Sequence, residues 1–352
     1  MTVDVSVLTP VLNEERHIED AVATMRSQQF EGELEFIFAD GGSSDRTRAI
    51  LEELARDEPR IRVLDNPAGQ TASGLNVALR AARGSIVARM DAHTLYPAHY
   101  LAVGVERLRR GDGVVWASGP QVPHGVDPGS RAVALALGSR LGTGGASFRH
   151  ATGAEIEAST GFTGVLDRAF LERVGGWDEG WPVNQDSELG ARVAAAGGRM
   201  VVVPEMAARY IPRSSVRALV RQYRRYGYYR AKTSRAHPES MRATHLIPPA
   251  IVLLLAVAVA GPRAAQTPAR IGAAVYGTAI ASATGAAARS NGPAAAARLP
   301  AIFAAMHLAW GTGFLGGCLR WGPPLAALRR VAGHAKTPSP LGERRVGEAD
   351  PG

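Results

Sequence analysis

Asp91 and His93 stand one residue apart, just after the short apolar run Ile86-Val87-Ala88. On an extended backbone, residues i and i+2 point to the same side, so this carboxylate and this imidazole could converge on one cation. If the run is a strand of an open α/β sheet, its carboxyl end is where ligands bind. The alternative is that the two residues only turn the chain out of the strand. Taken alone, these residues leave that choice open.

Asp186 is the second candidate for chemistry. It follows Gln185 near the start of a helix that the pattern predicts through about residue 196. A carboxylate in that position is oriented and can accept a proton as a general base. The alternative is that it only favours the positive end of the helix dipole. Glu188, one turn further on, is expected to be structural or to face an acceptor.

Alternating strand patterns and helical patterns follow one another along the first 200 residues. Strands are predicted over residues 3–9, 34–39, 61–64, 86–88, 113–118 and 200–203, and helices over 13–28, 46–57, 71–83 and 183–196. This alternation predicts a mainly parallel sheet with helices on both faces. Residues 121–160 have little periodicity and are predicted to form a flexible segment over an acceptor cleft.

The phosphate-binding glycine motifs are missing from this pattern. The turn after the first predicted strand contains no Gly-x-Gly-x-x-Gly sequence, and the chain has no Gly-x-x-x-x-Gly-Lys loop. Those motifs bind phosphates through backbone amides at a helix N-terminus. A nucleotide, if bound here, is therefore expected to be held through carboxylates and a metal ion.

Composition limits the remaining classes. The 352 residues suffice for one large domain with an appendage, and the net charge of +8 predicts an anionic partner. No aromatic-basic RNA motif or zinc-finger spacing is present, so nucleic-acid recognition is not expected. A single cysteine, Cys318, excludes an intrachain disulfide and a Cys-rich metal site. The first residues lack a signal-peptide pattern, and we expect them to begin a cytoplasmic domain.

Several motifs in order resemble those of family 2 glycosyltransferases. Residues 7–14 and 39–47 resemble the paired N-terminal motifs, Asn66-Pro67 with Gly74-Leu75-Asn76 resembles the next segment, and 170–179 resembles the later Gly-Gly-containing turn. Arg89-Met90-Asp91-Ala92-His93 stands where the family carries its Asp-x-Asp metal motif. The resemblance covers about residues 3–235, and in look it is nearest to the membrane-associated glucosyltransferases of the succinoglycan type.

The resemblance implies a GT-A fold and a nucleotide-sugar donor. The residues it assigns to nucleotide-sugar binding are Pro10, Asn13, Glu14, Asp40, Asn76, Arg89 and Asp91. Asp40 would contact the uracil edge, whereas Arg89 could be a diphosphate neighbour or a salt-bridge partner. Asp45 could line this pocket or cap the helix that follows it.

A divalent cation, Mn²⁺ or Mg²⁺, is the cofactor that the resemblance implies, with Asp91 and His93 as its candidate ligands. Mg²⁺ prefers oxygen ligands and imidazole suits Mn²⁺ better, so His93 leaves the ion open. His93 could also contact a phosphate oxygen of the donor. Asp186 matches the family's base position, although Gln185 replaces the usual Glu before it.

A basic, tyrosine-rich segment follows the predicted catalytic domain. In it, Gln222-x-x-Arg225-Tyr226 resembles the Gln-x-x-Arg-Trp motif on the acceptor and diphosphate side of processive family members. The alternative is an amphipathic helix whose arginines meet lipid headgroups and whose tyrosines lie at the membrane interface. Both are possible together, because a lipid-linked acceptor would arrive from that side.

Three apolar stretches follow, at residues 246–260, 271–288 and 299–319. A spanning helix needs about 20 residues, so two or three transmembrane helices are predicted, with buried helices of a soluble domain as the alternative. The expected domains are residues 1–235, with a nucleotide-binding half (1–93) and an acceptor half (94–235), a membrane region (236–320), and a basic, disordered tail (321–352). Three crossings would place that tail outside, against the positive-inside rule. Either one stretch, with the first expected, is re-entrant or interfacial, or the rule does not hold for this chain.

These patterns predict an inverting glycosyltransferase that moves a hexose, with glucose expected, from a UDP-sugar to a saccharide on a polyprenyl diphosphate lipid. It would serve exopolysaccharide or cell-envelope glycan synthesis at the inner membrane, with the catalytic domain in the cytoplasm and membrane lipids as further partners. Two alternatives stay open. One is a non-catalytic, nucleotide-sugar-binding membrane partner of another transferase. The other is a basic membrane-surface adaptor.

Overall fold

The computed structural model describes residues 3–144 and 153–334. Contacts divide these residues into two compact units, the first made of 3–122 with 153–210 and the second of 123–144 with 211–334. The expected domain boundary at residue 235 differs from this division, since residues 123–144 and 211–235 group with the apolar helices. Apolar side chains on those segments account for part of the grouping, because they pack against the membrane-type helices.

Eleven strands lie in the described part of the chain. They are β1 (Val5–Val11), β2 (Leu34–Asp40), β3 (Ile61–Asp65), β4 (Ile86–Arg89), β5 (Thr94–Leu95), β6 (Val114–Ser118), β7 (Gln121–Pro123), β8 (Ile156–Glu157), β9 (Gly164–Asp167), β10 (Arg199–Val202) and β11 (Ala208–Tyr210). Eight form one sheet in the order β3-β2-β1-β4-β9-β6-β10-β8, and three form a small sheet in the order β5-β11-β7. In the large sheet β9 and β8 run antiparallel to their neighbours and the other pairings are parallel. The predicted, mainly parallel α/β sheet is confirmed.

The α-helices in the described residues differ widely in length. In chain order they are α1 (Ile18–Arg26), α2 (Thr47–Asp57), α3 (Thr71–Ala81), α4 (Tyr100–Arg109), α5 (Pro128–Leu137), α6 (Arg140–Thr143), α7 (Arg168–Arg173), α8 (Gln185–Ala195), α9 (Val216–Ala236), α10 (Ile247–Ala260), α11 (Arg263–Asn291), α12 (Pro293–Ala296), α13 (Leu299–Trp321) and α14 (Leu325–His334). The helices α1–α4, α7 and α8 belong to the first unit, and the others belong to the second.

The core of the first unit lies on both faces of the large sheet. On β2, Phe36 and Phe38 enter one apolar cluster, while Ile37 and Ala39 enter another. Side chains alternate between the faces of a strand, so a strand covered on both faces is apolar throughout. All four are essentially inaccessible to solvent. Full burial of a side chain such as Ile37 contributes about 1.5–3 kcal/mol, which holds β2 and the loop after it in place.

Two sequence-based expectations are wrong in this part of the chain. The first helix begins at Ile18 and not at Asn13, because Asn13 has a left-handed φ of 56° that no helix accommodates. Residues 128–143, expected to be flexible, are largely helical. Asp127 accepts from the backbone of α5 in a capping box with Ser130, and Pro128 occupies the first turn. Residues 145–152 of the same predicted segment lie outside the described residues.

The second unit contains three helical stretches that are long and apolar enough to cross a membrane. They are Ala243–Ala260, Arg263–Asn291 and Pro293–Trp321, judged by length and composition. Large apolar side chains such as Val259, Ile271 and Val275 point outward from them. A soluble protein seldom exposes so many of these on neighbouring helices. The three stretches contain the three that the sequence predicted.

Candidate active site

Three neighbouring strands bring the predicted site residues to one edge of the large sheet. β1 lies between β2 and β4, and all three run parallel. Their carboxyl ends therefore lie side by side, and each is followed by one of the loops singled out in the sequence. Pro10 is the next-to-last residue of β1, Asp40 ends β2 and Arg89 ends β4.

The loops after β1 and β2 are joined by hydrogen bonds. The side-chain oxygen of Asn13 accepts from the Ser44 backbone N–H at 2.8 Å, and the Glu14 N–H donates to the Thr47 hydroxyl at 2.7 Å. Asp40 accepts from the Ser43 hydroxyl at 2.6 Å. Three of the predicted nucleoside-pocket residues are thus held in one rigid double loop.

Asp45 has a structural position beside this double loop. Its Oδ1 accepts from the Thr47 N–H at 2.9 Å and from the Thr47 hydroxyl at 2.6 Å, at the first residue of α2. These bonds correspond to the capping alternative. They also lower the pKa of Asp45, although burial acts in the opposite direction.

Pro10 and Asn76 are connected to α3 in different ways. A Cβ on Gly74 would lie 3.1 Å from the Pro10 Cβ and 2.9 Å from the Asn66 side-chain nitrogen, so only glycine lets α3 approach this closely. The Asn76 amide donates to the Trp177 carbonyl at 2.7 Å and accepts from the Trp177 N–H at 3.0 Å. Asn76 therefore holds the glycine-rich turn before α8, and its contact with the nucleotide stays a prediction.

Arg89 lies at the centre of the site and joins two carboxylates. Its Nε donates to Asp91 Oδ1 at 2.9 Å, its Nη2 donates to Asp91 Oδ2 at 3.1 Å, and its Nη1 donates to Asp186 Oδ1. Arg89 is 3% exposed and Asp91 5%. Burial disfavours the guanidinium charge, but the charges of Asp186 and Asp91 outweigh it and raise the pKa of Arg89. Of the two alternatives for Arg89, this contact is the salt bridge.

Asp186 occupies the first turn of α8, directly after the helix begins. Asn184, with a left-handed φ of 63°, turns the chain into the helix and so sets the direction of the Asp186 side chain. Within the described residues, Asp186 Oδ1 bonds Arg89 and Oδ2 has no hydrogen-bond partner. Burial, supported by the nearby charge of Asp91 and opposed by Arg89, raises the pKa of Asp186 to about 6. A carboxylate with that pKa is ionised at neutral pH and is still basic enough to take a proton.

The turn after β4 does not place Asp91 and His93 as the sequence suggested. The strand ends at Arg89, and the Asp91 carbonyl accepts from the Thr94 N–H at 3.2 Å, so the backbone at these residues is a turn. The expectation of two side chains on one face of an extended strand is wrong. The Tyr96 hydroxyl accepts from the Asp91 N–H at 2.6 Å, which takes that amide out of any strand pairing.

His93 and Glu14 bring the first and third loops together. The His93 Nδ1 lies 3.2 Å from the Glu14 Oε1, and Glu14 is 8% exposed. The imidazole also meets the Tyr210 ring edge-on, with 5.4 Å between ring centroids. Glu14 was expected near the nucleoside, and the structure adds that it fixes the imidazole of the metal motif.

An aromatic pair that the sequence reasoning missed covers the same group of charges. Tyr210 and Phe162 meet edge-on at 5.9 Å, and the Arg89 guanidinium carbon lies 5.4 Å from the centre of the Phe162 ring. The glycines beside Phe162 were a possible signal, since a Cβ at Gly161 would lie 2.6 Å from the Trp116 ring. Nothing in one sequence singles out Tyr210.

The donor atoms here suit a divalent cation that completes its shell from a bound diphosphate. Among residues 3–144 and 153–334, no three His, Cys, Asp or Glu side chains form a ready-made metal cage. Mg²⁺ sites often use only one or two carboxylates together with substrate phosphates and water. Asp91 is a carboxylate of that kind, whereas His93 would supply a nitrogen ligand, which suits Mn²⁺ better than Mg²⁺. Because both Asp91 oxygens accept from Arg89, an ion there has to share or replace one of those bonds.

The remaining predicted residues make contacts of their own. Glu188 is 2% exposed and bonds Arg192 at 2.7 Å, and Arg192 in turn donates to the Gly176 carbonyl at 2.8 Å. Glu188 therefore has the structural role that was one of its two alternatives. In the second unit, Gln222 donates from Nε2 to the Tyr226 hydroxyl at 2.9 Å, one turn along α9, the helix that also carries Arg225.

Comparison with known proteins agrees with this architecture. The sequence model of the family described as Glycosyl transferase family 2 matches residues 6–170. Over 250 residues the chain is 34% identical to the succinoglycan biosynthesis protein ExoA of Rhizobium meliloti (strain 1021), which covers 70% of this chain and 74% of that protein.

Two solved structures have a similar fold. The mannosyltransferase PcManGT from Pyrobaculum calidifontis, in complex with GDP-Man and Mn²⁺, has a TM-score of 0.56 at 21% identity and covers 88% of this chain and 87% of its own. S. aureus TarS 1-349 has a TM-score of 0.50 at 15% identity and covers 91% of this chain and 92% of its own.

The fold and the site define a transferase with the GT-A architecture. The identity to ExoA over most of both chains makes the assignment specific. The chain belongs to glycosyltransferase family 2 and is a glycosyltransferase.

Proposed function

We propose that this enzyme is an inverting transferase that moves a hexose, with glucose expected, from a UDP-sugar to a saccharide carried on a polyprenyl diphosphate lipid. The observation that carries the proposal is the ion-paired cluster of buried Arg89 and Asp91 with the half-buried Asp186 at the carboxyl edge of the sheet. The succinoglycan biosynthesis role in the name of ExoA supports a place in exopolysaccharide or cell-envelope glycan synthesis.

Asp186 is the general base of the proposed reaction. Its Oδ2 takes the proton of the acceptor hydroxyl while that oxygen forms a bond to the anomeric carbon of the donor sugar. The bond between that carbon and the nucleotide diphosphate breaks on the opposite side, so the configuration inverts. With a pKa of about 6, Asp186 starts ionised at neutral pH, which general-base catalysis requires.

Asp91 and His93 would hold a Mn²⁺ or Mg²⁺ ion, which neutralises negative charge on the departing diphosphate when it is bound. Glu14 keeps the imidazole in place through its contact with Nδ1. The structure of PcManGT in complex with GDP-Man and Mn²⁺ supports a divalent cation in this role. An imidazole ligand favours Mn²⁺ over Mg²⁺.

The donor nucleoside would lie in the double loop formed by residues 10–15 and 40–47. Asp40 is 5% exposed and accepts from the Ser43 hydroxyl. It would also accept from the edge of the base, with Asn13 and Pro10 in the neighbouring turn. PcManGT carries a GDP-sugar in its structure, so a nucleotide-sugar donor is supported more firmly than its base. The match to the family's uracil-contacting aspartate favours UDP.

The second unit would hold the enzyme at the inner membrane and receive the lipid-linked acceptor, with the catalytic unit on the cytoplasmic side. Its three long apolar stretches support this placement. Gln222, Arg225 and Tyr226 on α9 are the proposed acceptor-side residues. A guanidinium suits the diphosphate of such a lipid, because it can donate two hydrogen bonds to one phosphate group.

A donor panel tests this function directly. Purified enzyme in membrane lipids would be incubated with Mn²⁺ and one donor at a time: UDP-glucose, UDP-galactose, UDP-N-acetylglucosamine or GDP-mannose. The masses of the lipid products would be determined by mass spectrometry. We expect one hexose to be added to a polyprenyl diphosphate saccharide from a UDP-sugar. Transfer from GDP-mannose alone would overturn the donor assignment, and transfer to water or protein alone would overturn the acceptor.

A further inference from the structure

We propose that Arg89 is a positioning residue for the catalytic base: its guanidinium holds one oxygen of Asp186 at a fixed place relative to Asp91 and leaves the other oxygen open to the acceptor. The inference rests on the proposed role of Asp186 as base. It assigns to Arg89 a role different from a contact with the donor diphosphate, which the sequence had also allowed.

The fork shape of the guanidinium carries the argument. Two of its nitrogens bond the two oxygens of Asp91, at 2.9 and 3.1 Å, and the third bonds Asp186 Oδ1. Three donors in one plane thus define where Asp186 lies once Asp91 is in place. A lysine ammonium carries the same charge, but it is a compact group that cannot make this paired, planar contact.

Asp91 and the Arg89 side chain are both held in place by their neighbours. Asp91 is fixed by its N–H bond to the Tyr96 hydroxyl at 2.6 Å, and Tyr96 packs edge-on against Tyr100 with 4.9 Å between ring centroids. Arg89 itself ends β4, the strand next to β1, and has Phe162 over its guanidinium at 5.4 Å. The guanidinium therefore has little freedom to follow a mobile carboxylate, and the carboxylate is the group that becomes fixed.

The geometry also leaves Asp186 one free acceptor. Oδ1 is taken by Arg89, and no described residue bonds Oδ2. A base that must take a proton needs such a lone pair, aimed at the substrate within hydrogen-bond reach. Without Arg89 the side chain can rotate, and a misplacement of about 1 Å can cost on the order of 100-fold in rate.

The test compares Arg89→Lys and Arg89→Ala with wild type in the donor-panel assay, after measuring UDP affinity by calorimetry. Arg62→Lys is the matched control. Arg62 lies on β3 and also bonds a buried carboxylate, that of Glu35, together with the Ala81 carbonyl. It takes no part in the hydrogen bonds among Arg89, Asp91 and Asp186. We expect kcat to fall about 100-fold in both Arg89 variants, with the donor KM and UDP affinity within about threefold of wild type. Arg62→Lys should retain kcat.

Chemical rescue separates positioning from mere structural support. A few millimolar guanidinium ion, far below denaturing levels, should raise the kcat of Arg89→Ala at least tenfold. The kcat of Asp186→Asn should not change. A tenfold loss of UDP affinity in both Arg89 variants would overturn the proposal in favour of a diphosphate contact. So would a kcat per folded molecule equal to wild type, which would make Arg89 structural only.

A readout independent of turnover keeps this test separate from the proposed function. Carboxyl labelling with a water-soluble carbodiimide, mapped by mass spectrometry at one pH, should mark Asp186 several-fold more in Arg89→Ala than in wild type, relative to the exposed Asp57. Equal labelling would overturn the positioning contact even if wild type proved inactive with every donor. Inactive wild type with increased Asp186 labelling would instead overturn the proposed function and leave the contact standing.

Discussion

At the scale of single residues, the site is defined by three charged groups that are joined by hydrogen bonds. Asp186 and Asp91 each carry a negative charge and Arg89 carries one positive charge, so the cluster has an excess negative charge without donor or cation. Buried charges are tolerated only when they are paired and hydrogen-bonded. The excess therefore favours binding of a cation, and it also accounts for part of the raised pKa of Asp186.

Replacing Asp186 by Asn should abolish transfer while the fold and donor binding remain. The amide keeps the shape and can still accept from Arg89, but it cannot take a proton at neutral pH. Loss of a general base typically costs about 10²–10⁴-fold in rate, and UDP binding measured by calorimetry should stay close to wild type. Asp178→Asn, in the exposed turn before α8, is the matched control and should stay active. Turnover within tenfold of wild type in Asp186→Asn would remove this residue as the base.

The pH dependence of kcat/KM follows from the direction of the Asp186 shift. Burial raises its pKa to about 6, so the protonated, inactive form accumulates as pH falls through that value. We expect kcat/KM to be level above about pH 7 and to fall roughly tenfold per pH unit well below pH 6. Initial rates over pH 5–8, with stability checked at each pH by re-assay at pH 7.5, measure this. A level profile down to pH 5 would contradict the raised pKa.

His93 sets the choice of ion if it is a ligand. His93→Asp would replace the imidazole by a carboxylate, and an all-oxygen pair suits Mg²⁺ better than an imidazole does. We expect the ratio of Mg²⁺-supported to Mn²⁺-supported activity to rise several-fold in EDTA-treated, reloaded enzyme. His99→Asp, on the loop before α4, is the control and should leave the ratio unchanged. An unchanged ratio in His93→Asp would favour a phosphate contact for His93.

At the scale of elements, the sequence predicted the strands of the nucleotide-binding half well, because each is a short, mainly apolar run bounded by turn residues. β2 and β3 were predicted within one residue at each end. It predicted less where local chemistry overrode periodicity. The left-handed Asn13 delayed α1, and the Asp127 capping box started α5 in a stretch that looked irregular.

The contacts that make the site were beyond what one sequence shows. The Arg89–Asp186 bond joins residues 97 positions apart, and the Tyr210–Phe162 pair comes from two elements with no shared pattern. The sequence located Asp91 and Asp186 through motif order. It assigned His93 to the same face as Asp91 because a period of two was extended past the end of the strand, where the backbone turns.

The crossing of α9 and α13 depends on glycine. A Cβ at Gly313 would lie 2.0 Å from the Arg224 carbonyl oxygen, and one at Gly227 would lie 1.9 Å from the Trp310 carbonyl oxygen. Gly313 and Gly317 have the four-residue spacing that lets membrane helices approach closely. Because α9 carries Gln222, Arg225 and Tyr226, this crossing fixes the helix of the proposed acceptor-side residues against the apolar helix α13.

Gly313→Ala should therefore destabilise the second unit, and Gly316→Ala on the same helix should not. A Cβ at Gly316 would meet only the Tyr228 ring at 3.9 Å, an ordinary contact. Alanine favours a helix over glycine by about 0.8–1.0 kcal/mol, so Gly316→Ala should be neutral or slightly stabilising. The midpoint of thermal unfolding in detergent should drop by several degrees for Gly313→Ala only. Equal midpoints for the two variants would show that the helices tolerate a wider separation.

At the scale of the whole molecule, the net charge of +8 combines charges of opposite sign in the two units. The described part of the first unit holds 18 arginines and 27 acidic residues, and the described part of the second holds 18 Lys and Arg against two acidic residues, Asp127 and Glu239. The catalytic unit is thus acidic, so the positive charge says nothing about nucleotide affinity. It belongs to the unit with the apolar helices, where it favours contact with anionic lipid headgroups.

The exposed arginines of α9 should therefore recruit anionic lipid. Arg217, Arg221 and Arg224 are exposed on this helix, and each basic residue near an anionic surface contributes about 1 kcal/mol. We expect wild-type protein, extracted from vesicles of mixed phosphatidylcholine and phosphatidylglycerol, to retain phosphatidylglycerol preferentially at low salt. Lipid mass spectrometry should show this enrichment reduced several-fold when the three are changed to Gln. A control variant removes the same charge from the first unit, by changing Arg56, Arg109 and Arg110 to Gln. It should leave the phosphatidylglycerol enrichment unchanged. Equal enrichment in both triple variants would mean that the basic charge of the second unit serves another anion.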